Sequence, residues 1–197
     1  MDDIAYIKPP RHLKAIRKRT KELGFSMASE PQTGAFLATL AASKPGSYLL
    51  ELGTGTGLST AWLLHGMSPD SYVVSVDAVA AVQNAAKEVL GADSRVSFVL
   101  DDALEYLAAQ SDRCFDLVFA DAMPGKYEGL DEALRVVADG GIYVVDDMLP
   151  QPNWPEGHAE KVEAFLHVLE KRRDFVVTRM NWSTGIVMAT RRRATSR

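Results

Sequence analysis

The sequence predicts an α/β fold in which a doubly wound, mostly parallel sheet has helices on both faces and one antiparallel strand. Apolar runs of about five residues alternate with amphipathic stretches of about ten, which is the pattern of βαβ units. After residue 147 this alternation gives way to a proline-containing loop, one helix and two closely spaced strands. Of 197 residues, 47% are hydrophobic and 24% are charged, as in an ordinary globular domain.

Two helices are predicted before the first strand. Apolar residues at helical spacing indicate a first helix over 8–23, with two prolines near its start. A second helix is predicted over 31–42, with Ser29 as the candidate N-cap. Residues 1–45 are therefore expected to form an N-terminal helical extension of the core at 46–197, within one structural domain.

The remaining elements follow from apolar runs and their turn residues. The last two strands are separated by only three residues, so they are expected to pair antiparallel. The predicted strands span 48–52, 72–76, 96–100, 115–120, 141–145, 175–180 and 184–190. The predicted helices between them span 58–66, 79–90, 103–110, 127–138 and 158–172.

Composition argues against several classes of protein. Lys and Arg number 22 against 26 Asp and Glu, and a net charge of −4 is unfavourable for neutralising nucleic-acid phosphates. No run approaches the ~18 apolar residues of a membrane span, and the N-terminus is acidic where a signal peptide is basic. The single cysteine, Cys114, cannot form an internal disulfide. A cytoplasmic protein without a membrane partner is expected.

Glycines occupy alternate positions directly after the first predicted strand. Gly53, Gly55 and Gly57 lead into the helix at 58–66. Glycine allows a sharp turn and lets a ligand approach the bare backbone, and the helix N-terminus favours an anionic group. An ordinary glycine-rich turn is the alternative, but the next strand supplies a partner for a ligand-binding loop.

That partner is Asp77, which ends the second predicted strand 24 residues after Gly53. A carboxylate at this place can accept hydrogen bonds from ribose hydroxyls. A dinucleotide fingerprint requires glycine at the position of Leu58. Glu51, two residues before the first glycine, is instead typical of S-adenosylmethionine sites.

These segments carry a resemblance to a known family. Residues 51–59, the strand ending at Asp77 and residues 101–105 resemble the three cofactor motifs of class I methyltransferases, whose sheet is Rossmann-like. Residues 115–122 and 139–147 narrow the resemblance to metal-dependent O-methyltransferases, the catechol and caffeoyl-CoA enzymes and their small bacterial relatives. The likeness extends over nearly the whole chain from about residue 25.

The resemblance implies an S-adenosylmethionine site with assigned roles. Ser59 would lie near the methionine carboxylate, Asp77 would hold the ribose, and Asp102 with Ala103 would lie at the adenine. With Glu105, Asp102 also forms a capping-box pattern. The residues implied to contact the cofactor are Met27, Glu51, Gly53, Thr54, Gly55, Ser59, Asp77, Ala78, Asp102, Ala103, Asp121 and Met123.

Three aspartates predict a metal site. Asp121 follows the fourth strand, and Asp146 and Asp147 follow the fifth, so their carboxylates should converge at one sheet edge. Carboxylate oxygens suit Mg²⁺, with Mn²⁺ and Ca²⁺ as alternatives. The other interpretation is that these aspartates cap turns and face water.

The candidate base departs from the family pattern. The family's Asp-Ala-Asp-Lys run reads Asp-Ala-Met-Pro here, so Pro124 stands where the family has the lysine associated with deprotonating the acceptor. Asp121, Lys126 and His158 are the catalytic candidates, since imidazole can accept a proton near neutral pH. Solvent-exposed roles for Lys126 and His158 are the alternative.

The predicted function is S-adenosylmethionine-dependent methylation of a hydroxyl group on a small molecule, with assistance from a divalent metal. One alternative is tRNA wobble-base methylation through the basic residues of the first helix and residues 191–193, although nucleic acid is not the expected partner. Another is a non-enzymatic binding protein of the same fold, which the missing lysine leaves open. The resemblance also implies a homodimer.

Overall fold

The computed structural model describes residues 4–152 and 154–193, so the acidic residues 2–3 lie outside the described part. This part of the chain contains seven strands and seven helices. The strands are β1 (Tyr48–Leu52), β2 (Tyr72–Asp77), β3 (Val96–Leu100), β4 (Phe115–Ala120), β5 (Val137–Val145), β6 (Phe175–Met180) and β7 (Ile186–Arg191). The helices are α1 (Leu13–Glu22), α2 (Pro31–Ala42), α3 (Leu58–Gly66), α4 (Ala80–Leu90), α5 (Ala103–Ala108), α6 (Leu130–Arg135) and α7 (His158–Glu170).

The strands form one sheet in the order β3-β2-β1-β4-β5-β7-β6. Neighbouring strands from β3 to β5 run parallel, and β7 runs antiparallel to both β5 and β6. The predicted sheet, mostly parallel with one antiparallel strand, is therefore confirmed. The strand order reverses between β1 and β4, which is where open α/β sheets leave a crevice at the carboxyl ends of their strands.

Side chains of the central strands alternate between two hydrophobic layers. Leu49 and Leu117 pack on one face, and Leu50 and Val118 pack on the other, because successive residues of a strand point to opposite sides. Helices α1, α2 and α3 cover the first face, and α5, α6 and α7 cover the second. The helices at 1–45 thus share a hydrophobic cluster with the core at 46–197. Within the described residues, every helix is too short or too polar to span a lipid bilayer.

Two predicted helices are shorter than expected. Instead of 8–23, α1 begins at Leu13, because residues that precede Pro9 and Pro10 are disfavoured from helical conformation. Instead of 127–138, α6 covers only Leu130–Arg135. Gly129 lies in the left-handed region (φ 67°) immediately before it, which separates α6 from the turn at 123–128.

Strand β5 begins at residue 137, four residues before the predicted start. Phe115 pairs with Val137, but the next pair joins Leu117 to Ile142, so the register shifts at an irregularity. Gly140 adopts φ 75° within it. The other predicted bounds lie within two residues of those observed.

The predicted N-cap of α2 is wrong. Glu30 occupies that position without a side-chain cap, and proline at the start of the helix needs no partner for an N–H group that it lacks. Ser29 instead donates a hydrogen bond to Asp121 Oδ2 over 3.2 Å. The residue chosen as a local cap therefore makes a contact 92 positions away in sequence.

Gly34 allows α2 to pack closely on α3. A Cβ atom at this position would lie 2.2 Å from Cδ1 of Trp62, whose ring is almost completely buried. We expect Gly34→Ala to lower the free energy of unfolding by about 1–3 kcal/mol, because overpacking a core outweighs the gain in helix propensity. Urea denaturation would measure this cost.

Trp62→Leu supplies the control for this contact. In that background, Gly34→Ala should cost little or even stabilise the protein, because the indole ring that it meets is gone. An equal cost in both backgrounds would show that the Gly34–Trp62 contact is not what limits the packing.

Candidate functional site

An open cavity of about 750 Å³ lies at the carboxyl ends of the parallel strands. Residues that follow β1, β2, β3, β4 and β5 form its floor, as the reversal of strand order requires. The segment 25–30 contributes a further wall, as do Gln151, Trp154 and Pro155. The convergence predicted from strand ends is thus present.

All but one of the predicted site residues line this cavity. The exception is Glu51, whose side chain is fully buried behind it. The predicted residues that line the cavity are Met27, Gly53, Thr54, Gly55, Ser59, Asp77, Ala78, Asp102, Ala103, Asp121, Met123, Lys126, Asp146, Asp147 and His158. Their individual contacts with a ligand stay predictions.

The glycine loop is required by close packing as well as by its backbone angles. Gly53 has φ 99°, and a Cβ atom there would lie 2.6 Å from the backbone oxygen of Asp121. Gly57 has φ 90°, and its Cβ would lie 2.7 Å from that of Ala86. Both the backbone angles and the lack of space therefore exclude an L side chain at each position.

Asp77 fixes this loop to the second strand. Its Oδ2 accepts a hydrogen bond from the Gly55 N–H over 2.8 Å, and its Oδ1 accepts one from the Val79 N–H over 2.8 Å. A carboxylate can accept about four hydrogen bonds, so Asp77 keeps the capacity to accept two more from a ligand in the cavity. The ribose contact implied for Asp77 stays a prediction.

Glu51 supports the loop from below. Its Oε2 accepts hydrogen bonds from the hydroxyls of Thr60 and Ser75, each over 2.5 Å, which joins β1 to α3 and β2. Its Oε1 has no hydrogen-bond partner among the described residues. Burial raises the pKa of Glu51 to about 7, although hydroxyl groups led by that of Ser59 oppose the shift.

Asp102 caps α5, as the sequence pattern predicts. Its Oδ1 accepts hydrogen bonds from the N–H groups of Leu104 (2.7 Å) and Glu105 (3.3 Å). The side chain is exposed at the rim of the cavity. The adenine contact implied for Asp102 stays a prediction. Met27 and Met123 present exposed apolar surface at the same rim.

The three predicted metal ligands lie at the ends of β4 and β5. Burial raises the pKa of Asp121 to about 7, with a smaller contribution in the same direction from Asp146 and Asp147 and an opposing one from Lys126. Asp146 is buried, and its Oδ1 accepts hydrogen bonds from the Thr184 hydroxyl (2.5 Å) and the Asp147 N–H (2.8 Å).

A lysine lies beside the Asp121 carboxylate. The Lys126 side chain is only 5% exposed, and its Nζ lies 4.0 Å from Asp121 Oδ1. It donates a 2.8 Å hydrogen bond to the backbone oxygen of Asp146. Across residues 4–152 and 154–193, no three His, Cys, Asp or Glu side chains are arranged to hold a metal ion. As placed here, the carboxylates therefore do not fit the divalent cation that the resemblance implies.

Aromatic residues surround His158 on the opposite wall. The His158 ring lies 4.6 Å from that of Trp154, and its Nε2 is 3.2 Å from the Tyr127 hydroxyl. Burial, followed by Lys126 and Lys161, lowers the pKa of His158. Burial raises the pKa of Tyr127 far above its ordinary value. At neutral pH the imidazole is therefore neutral and the phenol is protonated.

Sequence reasoning missed several cavity residues. Tyr127, Gln151 and Thr184 line the cavity, and Phe25 lies beside the glycine loop. No local motif marks Gln151 or Thr184, because β7 brings the Thr184 turn against the end of β5 only in the folded sheet.

One arginine of each basic segment is engaged within the domain. Arg191 is buried, and it donates to the backbone oxygens of Leu134 and Val137 and pairs with Asp174. Arg19 on α1 pairs with Glu22 and Glu88. Part of each run thus contributes to packing within the domain.

Comparison with known proteins decides the family. A family model described as a methyltransferase domain matches residues 50–148, from β1 to just beyond β5. The chain belongs to this family. The Rossmann-like methyltransferase sheet and the family resemblance predicted from the sequence are confirmed.

Relatives of this methyltransferase domain support the same family. A candidate O-methyltransferase from Mycobacterium ulcerans is 35% identical over 138 residues, which are 68% of this chain and 61% of that protein. The chain thus spans less than two thirds of the length of such curated relatives. The O-methyltransferase TomG from Streptomyces achromogenes, solved in complex with SAM, is 25% identical (TM-score 0.81) over 95% of this chain and 92% of TomG. Cofactor-bound Rv0187 from MTB is 25% identical (TM-score 0.85) over 98% of this chain and 94% of Rv0187.

The buried carboxyl of Glu51 predicts how the stability of this methyltransferase domain depends on pH. The native state keeps a proton up to about pH 7 that the unfolded chain releases near pH 4.5. Because the native state binds more protons in this window, stability falls as pH rises from 4.5 to 7, by about 3 kcal/mol from Glu51 alone. The pKa of Asp121 is also raised to about 7, so Asp121 adds a fall of its own. Glu51→Gln should therefore reduce the total fall by about 3 kcal/mol without abolishing it, as measured by urea denaturation between pH 4.5 and 8.

Glu163→Gln, at an exposed position of α7, is the matched control and should keep the wild-type pH profile. If wild type and Glu51→Gln lose stability equally across the window, the proton is not held by Glu51.

Proposed function

We propose that this methyltransferase domain transfers a methyl group from S-adenosylmethionine to the hydroxyl oxygen of a small molecule. The observation that carries the proposal is the attachment of Gly55 to Asp77 at the mouth of the crevice. This attachment presents bare backbone beside a carboxylate that can accept two more hydrogen bonds. TomG, which shares the fold at 25% identity, binds SAM.

The cavity divides into two regions of different chemistry. Gly53, Asp77 and Asp102 line the region suited to the nucleoside and amino-acid parts of the methyl donor. Lys126 and His158 line the other region, beside the buried end of β5. A small hydroxylated acceptor fits this second region, because it offers a cation, a proton acceptor and aromatic surface together.

When bound, S-adenosylmethionine supplies an electrophilic methyl group on a sulfonium, and the methyl–sulfur bond breaks with its electron pair remaining on sulfur. The protein's contribution is to hold the acceptor oxygen in line with that methyl group and to exclude water. His158 receives a proton through Tyr127: the phenol takes the proton that the acceptor hydroxyl releases as it passes its own to Nε2, which the lowered pKa of His158 keeps unprotonated at neutral pH. Tyr127, which shares a hydrogen bond with Nε2, orients the ring.

Divalent-metal assistance and a homodimer stay predictions from the family resemblance. No part of the proposed reaction depends on a metal ion, because the carboxylates as placed do not fit one. None of the contacts described above favours tRNA as the acceptor, and the engagement of Arg191 inside the domain reduces the basic surface available to it.

Binding of the reaction product tests the methyl-donor site. We expect S-adenosylhomocysteine to bind the wild-type protein at micromolar concentration in calorimetric titration, and NAD not to bind. Asp77→Ala should weaken the binding of S-adenosylhomocysteine at least about 10-fold. The ribose would lose two charge-assisted hydrogen bonds, and the Gly55 loop would lose its attachment to β2.

Asp70→Ala is the matched control. This aspartate precedes the opposite end of β2 and is exposed, so its loss should leave the affinity unchanged. The proposed methyl donor is wrong if S-adenosylhomocysteine does not bind, or if both variants weaken its binding equally.

The proposed base requires a neutral imidazole at pH 7. Titration of the His158 ring by NMR, assigned with His158→Gln, should give a pKa below 6.5 because burial and two lysines disfavour the imidazolium. The rate of methyl transfer should then be at its maximum at neutral pH and fall as the pH drops through the pKa of His158.

His167→Gln changes an exposed histidine of the same helix and should leave this titration unaltered. A pKa of His158 at or above 6.5 would argue against its role as the proton acceptor.

A further inference from the structure

We propose that the ammonium group of Lys126 is the resident cation of the acceptor region and takes the place of a divalent metal. The inference rests on the proposed function for its role in methyl transfer, but the occupancy of the cation position can be tested separately. Its basis is the position of one buried lysine, which lies 4.0 Å from the Asp121 carboxylate and is hydrogen-bonded to the backbone of Asp146. This lysine stands two residues after the position where Pro124 replaces the family's lysine.

The Lys126 side chain is placed where a cation is needed. It is nearly inaccessible to bulk solvent, yet its atoms line the cavity. One of its three N–H donors is used by the backbone oxygen of Asp146 at 2.8 Å. Asp121 Oδ1, at 4.0 Å, lies too far for a hydrogen bond but near enough for strong attraction. The ammonium group therefore keeps donors for an oxygen that enters between them.

The turn that carries Lys126 is rigidly held. Gly125 adopts φ 82°, and a Cβ atom there would lie 2.4 Å from Cδ1 of Leu52. The Gly125 oxygen accepts a 2.5 Å hydrogen bond from the hydroxyl of Tyr143, which is buried in β5. The Tyr127 N–H donates to the Met123 oxygen over 3.0 Å. The lysine is thus fixed in place by the core, unlike a surface lysine with several rotamers.

Charge explains why this lysine and a metal ion exclude each other. A divalent cation bound by Asp121 would lie within a few ångströms of the Lys126 ammonium, in a region shielded from water where repulsion is strong. Conversely, removal of the lysine takes the nearest positive charge away from Asp121 and frees the space beside it. Asp121 can then turn toward the carboxylates that follow β5, and carboxylate oxygens brought together in this way favour a divalent ion.

The same position gives Lys126 a task in the reaction. As the hydroxyl proton passes to His158, negative charge develops on the acceptor oxygen, and a fixed ammonium group stabilises it. The oxygen–methyl bond then forms while the methyl–sulfur bond breaks, and its electron pair stays on sulfur. Lys126 keeps all of its protons throughout, so it differs from a lysine that acts as the base.

Manganese binding tests the cation position directly. Mn²⁺ titrated into metal-free protein and followed by electron paramagnetic resonance should remain free in the wild type up to millimolar concentration. Lys126→Met should bind one Mn²⁺ at least about 10-fold more tightly, because the positive charge that repels a divalent ion beside Asp121 is then gone. Lys126→Arg, which keeps the charge, should behave as the wild type.

Lys171→Met is the matched control, since this lysine is exposed after α7 and lies outside the cavity. Circular dichroism melts check that each variant is folded, and Lys126→Gln, which also removes the charge, takes the place of Lys126→Met if that variant is unfolded. Tight Mn²⁺ binding by the wild type or by Lys126→Arg, or no tighter binding by a folded variant that lacks the charge, would overturn the proposal.

An ionisable dye tests the contact with the acceptor oxygen. In the presence of S-adenosylhomocysteine and a chelator, 4-nitrophenol bound to the wild type should absorb as the yellow phenolate at a pH where free dye is mostly neutral. Lys126→Met should lose this shift and Lys126→Arg should retain it. Absence of the shift in the wild type would contradict the oxygen contact.

The two proposals fail differently. If S-adenosylhomocysteine does not bind, the methyl-transfer function is wrong, while the Mn²⁺ titration still decides whether Lys126 occupies the cation position. If S-adenosylhomocysteine binds and the wild type also binds Mn²⁺ tightly, the function stands and the inference about Lys126 is wrong.

Discussion

The close packing of β1 against β4, where the strand order reverses, is the constraint on which both halves of the cavity depend. The Asp121 N–H donates to the Leu52 oxygen over 2.8 Å, and Gly53 lies so close to the Asp121 backbone that no side chain fits between them. This contact joins the glycine loop to the acceptor region. A change at either strand end would therefore disturb both halves of the cavity.

Buried charge is the main energetic cost of the site, and the fold offsets it with contacts from distant elements. Glu51 is held by hydroxyl groups from α3 and β2, whereas Asp146 is held by the Thr184 turn before β7. Lys126 supplies the opposing positive charge from the turn before α6. Since desolvation of unpaired carboxylates is expensive, these contacts keep the carboxylates in place without a ligand.

Prediction from sequence succeeded where the signal was local, and it failed where a contact between distant residues decided the local structure. The Asp102 cap depends on residues three apart, so its pattern was sufficient. The end of the predicted helix at 127–138 was wrong because apolar residues after Arg135 pair with β4 instead of continuing the helix. Ser29 has the chemistry of a cap, but Asp121 competes for its hydroxyl. Neither competitor is visible in a short window of sequence.

The sequence by itself determined the alternation of strands and helices, the glycine loop and the acidic residues at the strand ends, because these depend on period, backbone freedom and adjacency along the chain. Only the tertiary structure decided which charges meet. Lys126 reads as an ordinary loop lysine, and it becomes the partner of Asp121 and Asp146 because Gly125 and Tyr143 fix its turn against the core. The physical reason is that the partner of a buried charge is chosen by packing across the fold, and sequence spacing carries little information about it.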